Sequence, residues 1–223
     1  MFKKILIAED FDTMNLGLVP ILEQITSAQI DHVKYCDDAF LKIKRALFDK
    51  APYDLLISDL SFEKDHRETK LSSGKELIEA VKKEQPDINV IVYSVENRPY
   101  TIKSLFEDSN INAYVSKGRD GSVQLSKAVT TVAQDEDARY ISPELAHILT
   151  DKSILEIDEY DIQLIKHLSE GLGQEEIGFL FKKQDVTPSS TSSIEKRINK
   201  LKIFFKAKNS IHLVSIAKDM GLI

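Results

Sequence analysis

The 223-residue sequence has no long apolar run and only one cysteine, Cys36. A membrane-spanning helix needs roughly 18 consecutive apolar residues, so we expect no transmembrane segment. The start of the chain, Met1–Ile5, lacks the long apolar region and small-residue cleavage site of a secretion signal. A single cysteine cannot form an internal disulfide, which is typical of proteins in the reducing cytoplasm. We therefore expect a cytoplasmic protein that does not bind membranes.

Two further absences narrow the class of protein. The sequence contains no internal repeat and no G-x-G-x-x-G motif, which disfavours a dehydrogenase. Hydrophobic residues make up 42% of the chain, enough for packed cores and too many for a wholly disordered protein. The 36 acidic against 30 basic residues give a net charge of -6, which by itself argues against a nucleic-acid partner. The length suggests one large domain or two ordinary ones.

The first half of the chain alternates short apolar runs with longer amphipathic stretches. Three runs are apolar at consecutive positions, as expected for parallel strands covered by helices on both faces. These runs and two weaker ones predict strands at 4–8, 29–35, 54–58, 89–94 and 112–116. Helical spacing predicts helices at 13–26, 37–48, 74–83, 100–107 and 123–132. The pattern predicts a doubly wound, flavodoxin-like α/β domain with a five-stranded parallel sheet over residues 1–132.

The second half has a different character. An acidic stretch without strand signals, 134–137, leads to Ser142, which we predict to cap a short helix that begins at Pro143. From about Asp158 the sequence predicts four helices, the second of them short. We therefore expect a linker over residues 133–156 and an all-α domain over residues 157–223.

Polar residues follow four of the five predicted strands. Glu9 and Asp10 come directly after the first strand, Asp59 after the third, and Lys117 after the fifth, while Ser94 ends the fourth. Because ligands bind beyond the carboxyl ends of such strands, we expect these side chains to converge. Three adjacent carboxylates repel one another unless a hard cation lies among them, and Mg²⁺ suits oxygen ligands. A metal, a carboxylate nucleophile, a lysine and a hydroxyl together suit phosphoryl transfer to a carboxylate.

These motifs, in this order and each at a predicted strand end, resemble the receiver domain of two-component response regulators. The resemblance implies that Asp59 accepts a phosphoryl group. It implies that Glu9, Asp10 and Asp59 bind Mg²⁺ together with the backbone carbonyl of Ser61. The sequence departs from the family pattern at Val95 and Gly118, and most clearly after Asp59: Gly74 lies fifteen residues after Asp59, and the extra residues are charged. We expect a long loop there, beside the site.

The resemblance also assigns a phosphoryl-binding and switch group. Ser94 and Lys117 contact the phosphoryl oxygens, and Tyr114 turns inward with Ser94 on activation. The residues themselves leave Tyr114 open to a second interpretation, in which it is a packing residue. The two interpretations of Tyr114 are compatible with each other.

The C-terminal helices resemble the LuxR-type helix-turn-helix domain of the NarL/FixJ class of regulators. The residues that carry this resemblance lie at 140–145, 168–178, 193–197, 208–214 and 221–223. The stretch between Phe181 and Ser193 is about six residues longer than the usual turn of that family. The resemblance implies binding of double-stranded DNA by the third helix of the domain.

The charge pattern of this third helix also favours DNA binding. Between Glu195 and Lys208 there are six basic residues and one acid, while Ile194, Ile198, Leu201 and Phe205 form an inward apolar stripe. Glu195 either accepts from a cytosine amine or caps the helix. The six residues that we predict to contact DNA are Ser193, Glu195, Lys196, Arg197, Asn199 and Lys200.

The resulting prediction is a DNA-binding transcriptional response regulator that is not an enzyme beyond its own phosphorylation and dephosphorylation. A sensor histidine kinase phosphorylates Asp59, and phosphorylation favours a homodimer that binds a two-half-site operator. One alternative is a regulator whose helical domain binds a protein. The other is a Mg²⁺-dependent phosphatase of the haloacid-dehalogenase type, which has a second Asp where this chain has Ser61. Residues 155–223 carry ten acids and ten bases. The net negative charge of the whole chain is therefore no argument against DNA binding by this half.

Overall fold

The structure, a computed structural model, describes residues 2–63, 66–135, 137–150 and 157–223, with the backbone alone for residues 12–16. These residues divide into two compact units, one that extends as far as His147 and one that contains the last four helices. Among the described residues, no helix is both long enough and apolar enough to cross a membrane.

The N-terminal unit is built on a parallel sheet with the strand order β2-β1-β3-β4-β5-β6. The fold class, a doubly wound flavodoxin-like domain followed by an all-α unit, is confirmed. The predicted number of five strands is wrong, because a sixth strand pairs with β5. The strands are β1 (Lys4–Ala8), β2 (Gln29–Val33), β3 (Leu55–Ser58), β4 (Asn89–Ser94), β5 (Ala113–Ser116) and β6 (Tyr140–Ile141).

The central strands are apolar on both faces because helices cover both. Ile5, Ile7 and Ile57 are at most 1% exposed and pack against Leu22 of the first helix and Leu125 of the fifth. Alternate residues of the same strands point to the opposite face, where they are also buried. The helices that precede the last four along the chain are α1 (Asp12–Ile25), α2 (Cys36–Phe48), α3 (Gly74–Glu84), α4 (Pro99–Glu107), α5 (Gly121–Gln134) and α6 (Ala146–Thr150).

The sixth strand lies in the segment that we predicted to be a strand-free linker. The amide of Tyr140 donates to the carbonyl of Asn112 (3.0 Å), and the amide of Ser142 donates to the carbonyl of Tyr114 (3.0 Å). Ser142 does precede a short 3₁₀ helix, Pro143–Leu145, but its hydroxyl does not cap it. Instead, the buried Ser142 hydroxyl accepts a hydrogen bond from the Ser116 amide (2.9 Å). The end of the predicted linker, residues 151–156, lies outside the described residues.

Between residues 157 and 223 the structure describes four helices, the number that the sequence predicts. Three of them begin at a residue whose side chain accepts a backbone amide of the first turn: Asp158, Ser190 and Asn209. The last helix ends at Gly221, whose positive φ of 76° suits a residue without Cβ. The helices are α7 (Glu159–Ser169), α8 (Gln174–Lys183), α9 (Thr191–Phe204) and α10 (Ser210–Met220). Their shared core includes Leu164, Ile177, Phe181, Ile194, Ile198, Leu201 and Leu213.

Candidate functional site

Three carboxylates meet at the carboxyl edge of the sheet. Glu9 and Asp10 follow β1, and Asp59 follows β3, which pairs with β1 directly. The Asp59 amide donates to the Ala8 carbonyl (3.0 Å), so the pairing continues to the acidic residue itself. One carboxylate oxygen from each acid lies within 4.8 Å of the others. Glu9 and Asp59 are only 1% and 4% exposed, so this is a buried acidic cluster.

The ammonium group of Lys117 lies between two of these carboxylates. Its Nζ is 2.6 Å from Glu9 Oε2 and 2.6 Å from Asp59 Oδ2. Burial by itself lowers the pKa of Lys117, but hydrogen bonds to Asp59 and Glu9 outweigh burial and raise the pKa. Burial raises the pKa of Glu9, and Lys117 only partly offsets this rise. The single cation therefore does not fully compensate the buried carboxylates.

Asp10 differs from the other two acids in the way its oxygens are used. Its Oδ2 accepts a hydrogen bond from the Glu63 amide (2.7 Å). Its Oδ1 is buried and meets no hydrogen-bond donor among the residues that the structure describes. A buried carboxylate oxygen without a donor costs free energy unless something else satisfies it. The three acids and this oxygen thus fit a divalent cation, with oxygen ligands of the kind that Mg²⁺ prefers.

Asp59 is oriented by the backbone that follows it. Its Oδ1 accepts hydrogen bonds from the amides of Leu60 (2.6 Å) and Ser61 (3.3 Å). The chain returns to the same point at Gly74, whose amide donates to the Leu60 carbonyl (3.0 Å). A Cβ at Gly74 would lie 1.8 Å from the Asp59 carbonyl oxygen, so only glycine fits there. The two ends of the long loop therefore both lie next to Asp59.

Ser94 and Tyr114 are both fully buried and both contact Glu96, in the loop after β4. Glu96 donates its amide to the Ser94 hydroxyl (3.4 Å), and its carbonyl accepts from the Tyr114 hydroxyl (2.5 Å). The Lys117 amide donates to the Ser94 carbonyl (2.8 Å), which ties the β4 end to the lysine. The structure thus places all the predicted phosphoryl-binding and switch residues at one edge. It also adds Glu96, which the sequence did not indicate, because its role depends on backbone atoms.

The residues predicted to contact DNA separate into two groups. Glu195, Lys196, Asn199 and Lys200 are exposed on one side of α9. Ser193 is half-buried, and its hydroxyl accepts from the Ser190 hydroxyl (2.7 Å).

Arg197 is the exception, because it is engaged within its own domain. Its Nε donates to Asp161 Oδ1 (2.5 Å), and its Nη2 donates to Asp158 Oδ2 (2.8 Å) and Asp161 Oδ2 (2.5 Å). Asp161 is fully buried, and its hydrogen bonds are the main reason that the pKa of Arg197 is raised. Asp158 and Asp161 are also the reciprocal caps of α7. The pattern Asp158-x-x-Asp161 indicates the start of α7 in the sequence, but it does not indicate that Arg197 binds these two residues.

The comparisons with known proteins agree with this architecture. No family model matches the chain. The response regulator GacA of Pseudomonas aeruginosa is 27% identical over 151 residues, which span 67% of this chain and 63% of that relative. The match therefore covers less than two thirds of the relative's length.

Solved structures extend the likeness to nearly the whole chain. RcsB of Salmonella typhimurium, a response regulator, has a TM-score of 0.69 at 22% identity over 97% of this chain and 99% of its own. RcsB from Salmonella enterica serovar Typhimurium, bound to promoter rprA with the phosphomimetic BeF₃⁻, has a TM-score of 0.63 at 21% identity over 97% and 98%. The isolated REC domain of that RcsB has a TM-score of 0.52 at 24% identity, over 66% of this chain and 98% of its own. These likenesses show the fold. The predicted resemblance to response regulators is confirmed.

Proposed function

We propose, from the resemblance to response regulators of the NarL/FixJ class, that this chain is a DNA-binding transcriptional regulator controlled by phosphorylation of Asp59. Residues 1–132 form the receiver domain, residues 133–156 connect the domains, and residues 157–223 bind double-stranded DNA. The compact unit that ends at His147 supports one amendment: β6, although it belongs to the connecting segment, is part of the receiver's sheet. One observation carries the proposal: Lys117 bridges Asp59 and Glu9, beside an Asp10 oxygen that meets no donor among the described residues.

The chemistry proposed for Asp59 is a phosphoryl transfer from a histidine of a sensor kinase. A carboxylate oxygen of Asp59 attacks the phosphorus, a P–O bond forms, and the P–N bond of the phosphohistidine breaks. The histidine nitrogen keeps the electron pair and takes up a proton. Lys117, already 2.6 Å from Asp59 Oδ2, offsets the negative charge that the phosphoryl group brings. In this step the chain is itself modified and does not convert a separate substrate. We therefore propose a phosphoprotein whose own chemistry is limited to gaining and losing its phosphoryl group.

Mg²⁺ is the cation that best suits the three acids. Glu9, Asp10 and Asp59, with the backbone carbonyl of Ser61, would hold it. When bound, Mg²⁺ supplies positive charge opposite the phosphoryl oxygens. Burial raises the pKa of Glu9, and Asp10 Oδ1 meets no donor among the described residues. Both observations support the binding of a cation between these carboxylates.

The switch that we propose starts at Ser94 and Tyr114. Their shared contact with Glu96 supports the idea that a displacement of the Ser94 hydroxyl also displaces the Tyr114 hydroxyl. Buried groups rearrange between discrete packings, so a small shift at the phosphoryl group can change the outer surface of the receiver. That change favours a homodimer.

Phosphorylation is tested on the full chain with acetyl phosphate and Mg²⁺. We expect intact-mass spectrometry to find one phosphoryl adduct, sensitive to hydroxylamine as an acyl phosphate is. The adduct should be absent after Asp59→Asn or when EDTA replaces Mg²⁺. Asp87→Asn is the matched control, because Asp87 is exposed before β4, at the opposite edge of the sheet. An adduct that persists in Asp59→Asn contradicts the assignment.

DNA binding is proposed for the exposed side of α9. Lys196, Asn199 and Lys200 face outward there, while the stripe of Ile194, Ile198 and Leu201 holds the helix in its core. Arg197 is left out of this surface because Asp158 and Asp161 engage it. The sequence prediction that Arg197 contacts DNA is therefore replaced by a structural role in this proposal.

The DNA test uses duplexes enriched from a random pool by the full chain in the presence of BeF₃⁻. Each phosphate contact contributes about −0.9 to the slope of log affinity against log salt. We expect Lys196→Ala and Lys200→Ala to weaken binding, and Lys218→Ala, an exposed lysine on α10, to leave it unchanged. Absent or salt-insensitive binding would contradict the proposal and leave the alternative in which the helical domain binds a protein.

A dimer contact is proposed for the start of α10. Ile211 is 83% exposed there, and Ile203, at the end of α9, is 80% exposed. Exposed apolar patches mark protein contact sites, and Ile211 is the most exposed large apolar side chain of α10. We expect Ile211→Glu to reduce cooperative binding to paired half-sites in a gel-shift titration, while binding to a single half-site stays the same.

A further inference from the structure

The long loop between Asp59 and Gly74 is fixed to the rest of the receiver at two separate places. The first is the acidic cluster, where the Glu63 amide donates to Asp10 Oδ2 (2.7 Å). The second is the first turn of α2, where the amides of Lys70 and Leu71 donate to the two carboxylate oxygens of Asp37 (2.9 and 3.1 Å). An insertion that bulged freely into solvent would need neither contact.

Side chains reinforce the second attachment. The guanidinium of Arg67 lies 4.3 Å from the ring centre of Tyr35 and 3.7 Å from Asp38 Oδ2. Tyr35 and Cys36 also line a small cavity of about 110 Å³ together with Phe62 and Arg67. The end of the loop is therefore packed against the segment that joins β2 to α2.

The first attachment controls the geometry of a proposed cation ligand. Asp10 has one oxygen held by the Glu63 amide and one buried oxygen without a donor among the described residues. A hydrogen bond to one oxygen of a ligating carboxylate fixes the orientation of the other, and such outer contacts commonly matter about tenfold or more for metal affinity. The Glu63 amide is thus in a position to orient Asp10 for the cation.

We infer that the loop residues described on either side of positions 64 and 65 form a positioning element for the cation site, and that Asp37 is the positioning residue that holds their returning end. Asp37 does not touch the acidic cluster through any contact described above. It binds the returning end of the loop, and the other end presents the Glu63 amide to Asp10. The inference rests on the proposed function, because it concerns the same Mg²⁺ site.

The test measures cation affinity rather than activity. Mn²⁺ is titrated into the full chain and free Mn²⁺ is counted by electron paramagnetic resonance, with Mg²⁺ as competitor. Glu63→Pro removes the amide hydrogen that Asp10 accepts, whereas Glu63→Ala keeps it. Lys70→Pro removes one donor to Asp37 without changing the charge of Asp37, and Lys70→Ala is its control. We expect each proline variant to weaken binding about tenfold relative to its alanine control.

A further pair of variants tests Asp37 directly. Asp37→Asn should weaken Mn²⁺ binding and speed hydrogen exchange at residues 66–73. Asp49→Asn, which removes the same charge from the far end of α2, should do neither. The Lys70 pair remains decisive if Asp37→Asn fails to fold.

The outcomes separate the two proposals. If the unmodified chain does not bind Mn²⁺ or Mg²⁺, the proposed cation site fails and this inference fails with it. If it binds and the Lys70→Pro and Asp37→Asn variants bind equally well, only this inference is overturned. Unchanged exchange at residues 66–73 in Asp37→Asn would also overturn it, because the loop would then not depend on Asp37.

Discussion

The ion pair between Arg197 and Asp161 offers a quantitative test of how α9 is held. Asp161 is fully buried, and Arg197 is the cation that neutralises it, with a side chain that is only 25% exposed. Removing one partner of a buried pair leaves an uncompensated charge, which costs about 3–5 kcal/mol. Because Arg197 is partly exposed and water can reach part of the site, we expect the lower end, about 3 kcal/mol, for Arg197→Met.

Hydrogen exchange on the full chain can measure this cost within the C-terminal unit. Amides in the middle of α7 and α9 exchange through opening of their domain. Since each 1.4 kcal/mol is a factor of ten, Arg197→Met should speed their exchange by about two orders of magnitude. Lys200→Met is the control, since Lys200 is exposed on the same helix and its loss should change exchange by less than about threefold.

A double variant distinguishes a lost charge pair from lost packing. In Arg197→Met with Asp161→Leu no buried charge remains, and such replacements are often neutral relative to the intact pair. We expect the double variant to regain most of the stability that Arg197→Met loses. It should remain about 1 kcal/mol less stable than the unmodified chain, because Asp161→Leu also removes a cap of α7. A small effect of Arg197→Met alone, or a double variant as unstable as the sum of the two single ones, would refute the reasoning.

Three further predictions concern the receiver. Gly74→Ala should lower the melting temperature by several degrees, because the added Cβ would collide with the Asp59 carbonyl. Gly17→Ala is the control and should not lower it, because a Cβ at Gly17 meets no described atom within 4 Å. Lys117→Met should destabilise the chain more at neutral pH than at mildly acidic pH. The pKa of Glu9 is raised by burial, so protonation of Glu9 stabilises the folded chain at low pH, and this stabilisation is lost as pH rises through that pKa. Thermal unfolding at both pH values measures the difference, and an equal deficit contradicts it. Burial raises the pKa of Cys36 to about 12, so iodoacetamide should label it only after unfolding in urea; fast labelling of the native chain would contradict this.

The sheet and its site were predictable because each depends on local sequence. Strands buried on both faces must be apolar at consecutive positions, and β1, β3 and β4 are. Residues that end parallel strands must lie at one edge, so Asp59 and Lys117 were expected to meet, and their side chains are 2.6 Å apart.

The features that the sequence did not reveal depend on contacts between distant residues. The two residues of β6 are too few for a periodic pattern, and they become a strand only because β5 offers an unpaired edge. Arg197 looked like a DNA contact because its partner lies 36 residues earlier in the chain. The loop attachments at Asp10 and Asp37 use backbone amides, which every residue except proline carries, so no residue type indicates them.

The sixth strand has a consequence for how the protein avoids aggregation. Any strand at the border of a sheet exposes unpaired amides and carbonyls that can pair with another chain. By covering β5, the connecting segment leaves a border strand of only two residues, too short to be a good template. The opposite border, β2, carries Asp31, and a charged side chain on a border strand opposes pairing with strands of other molecules. A receiver cut before Tyr140 should therefore form β-rich aggregates at concentrations at which the full chain remains dispersed.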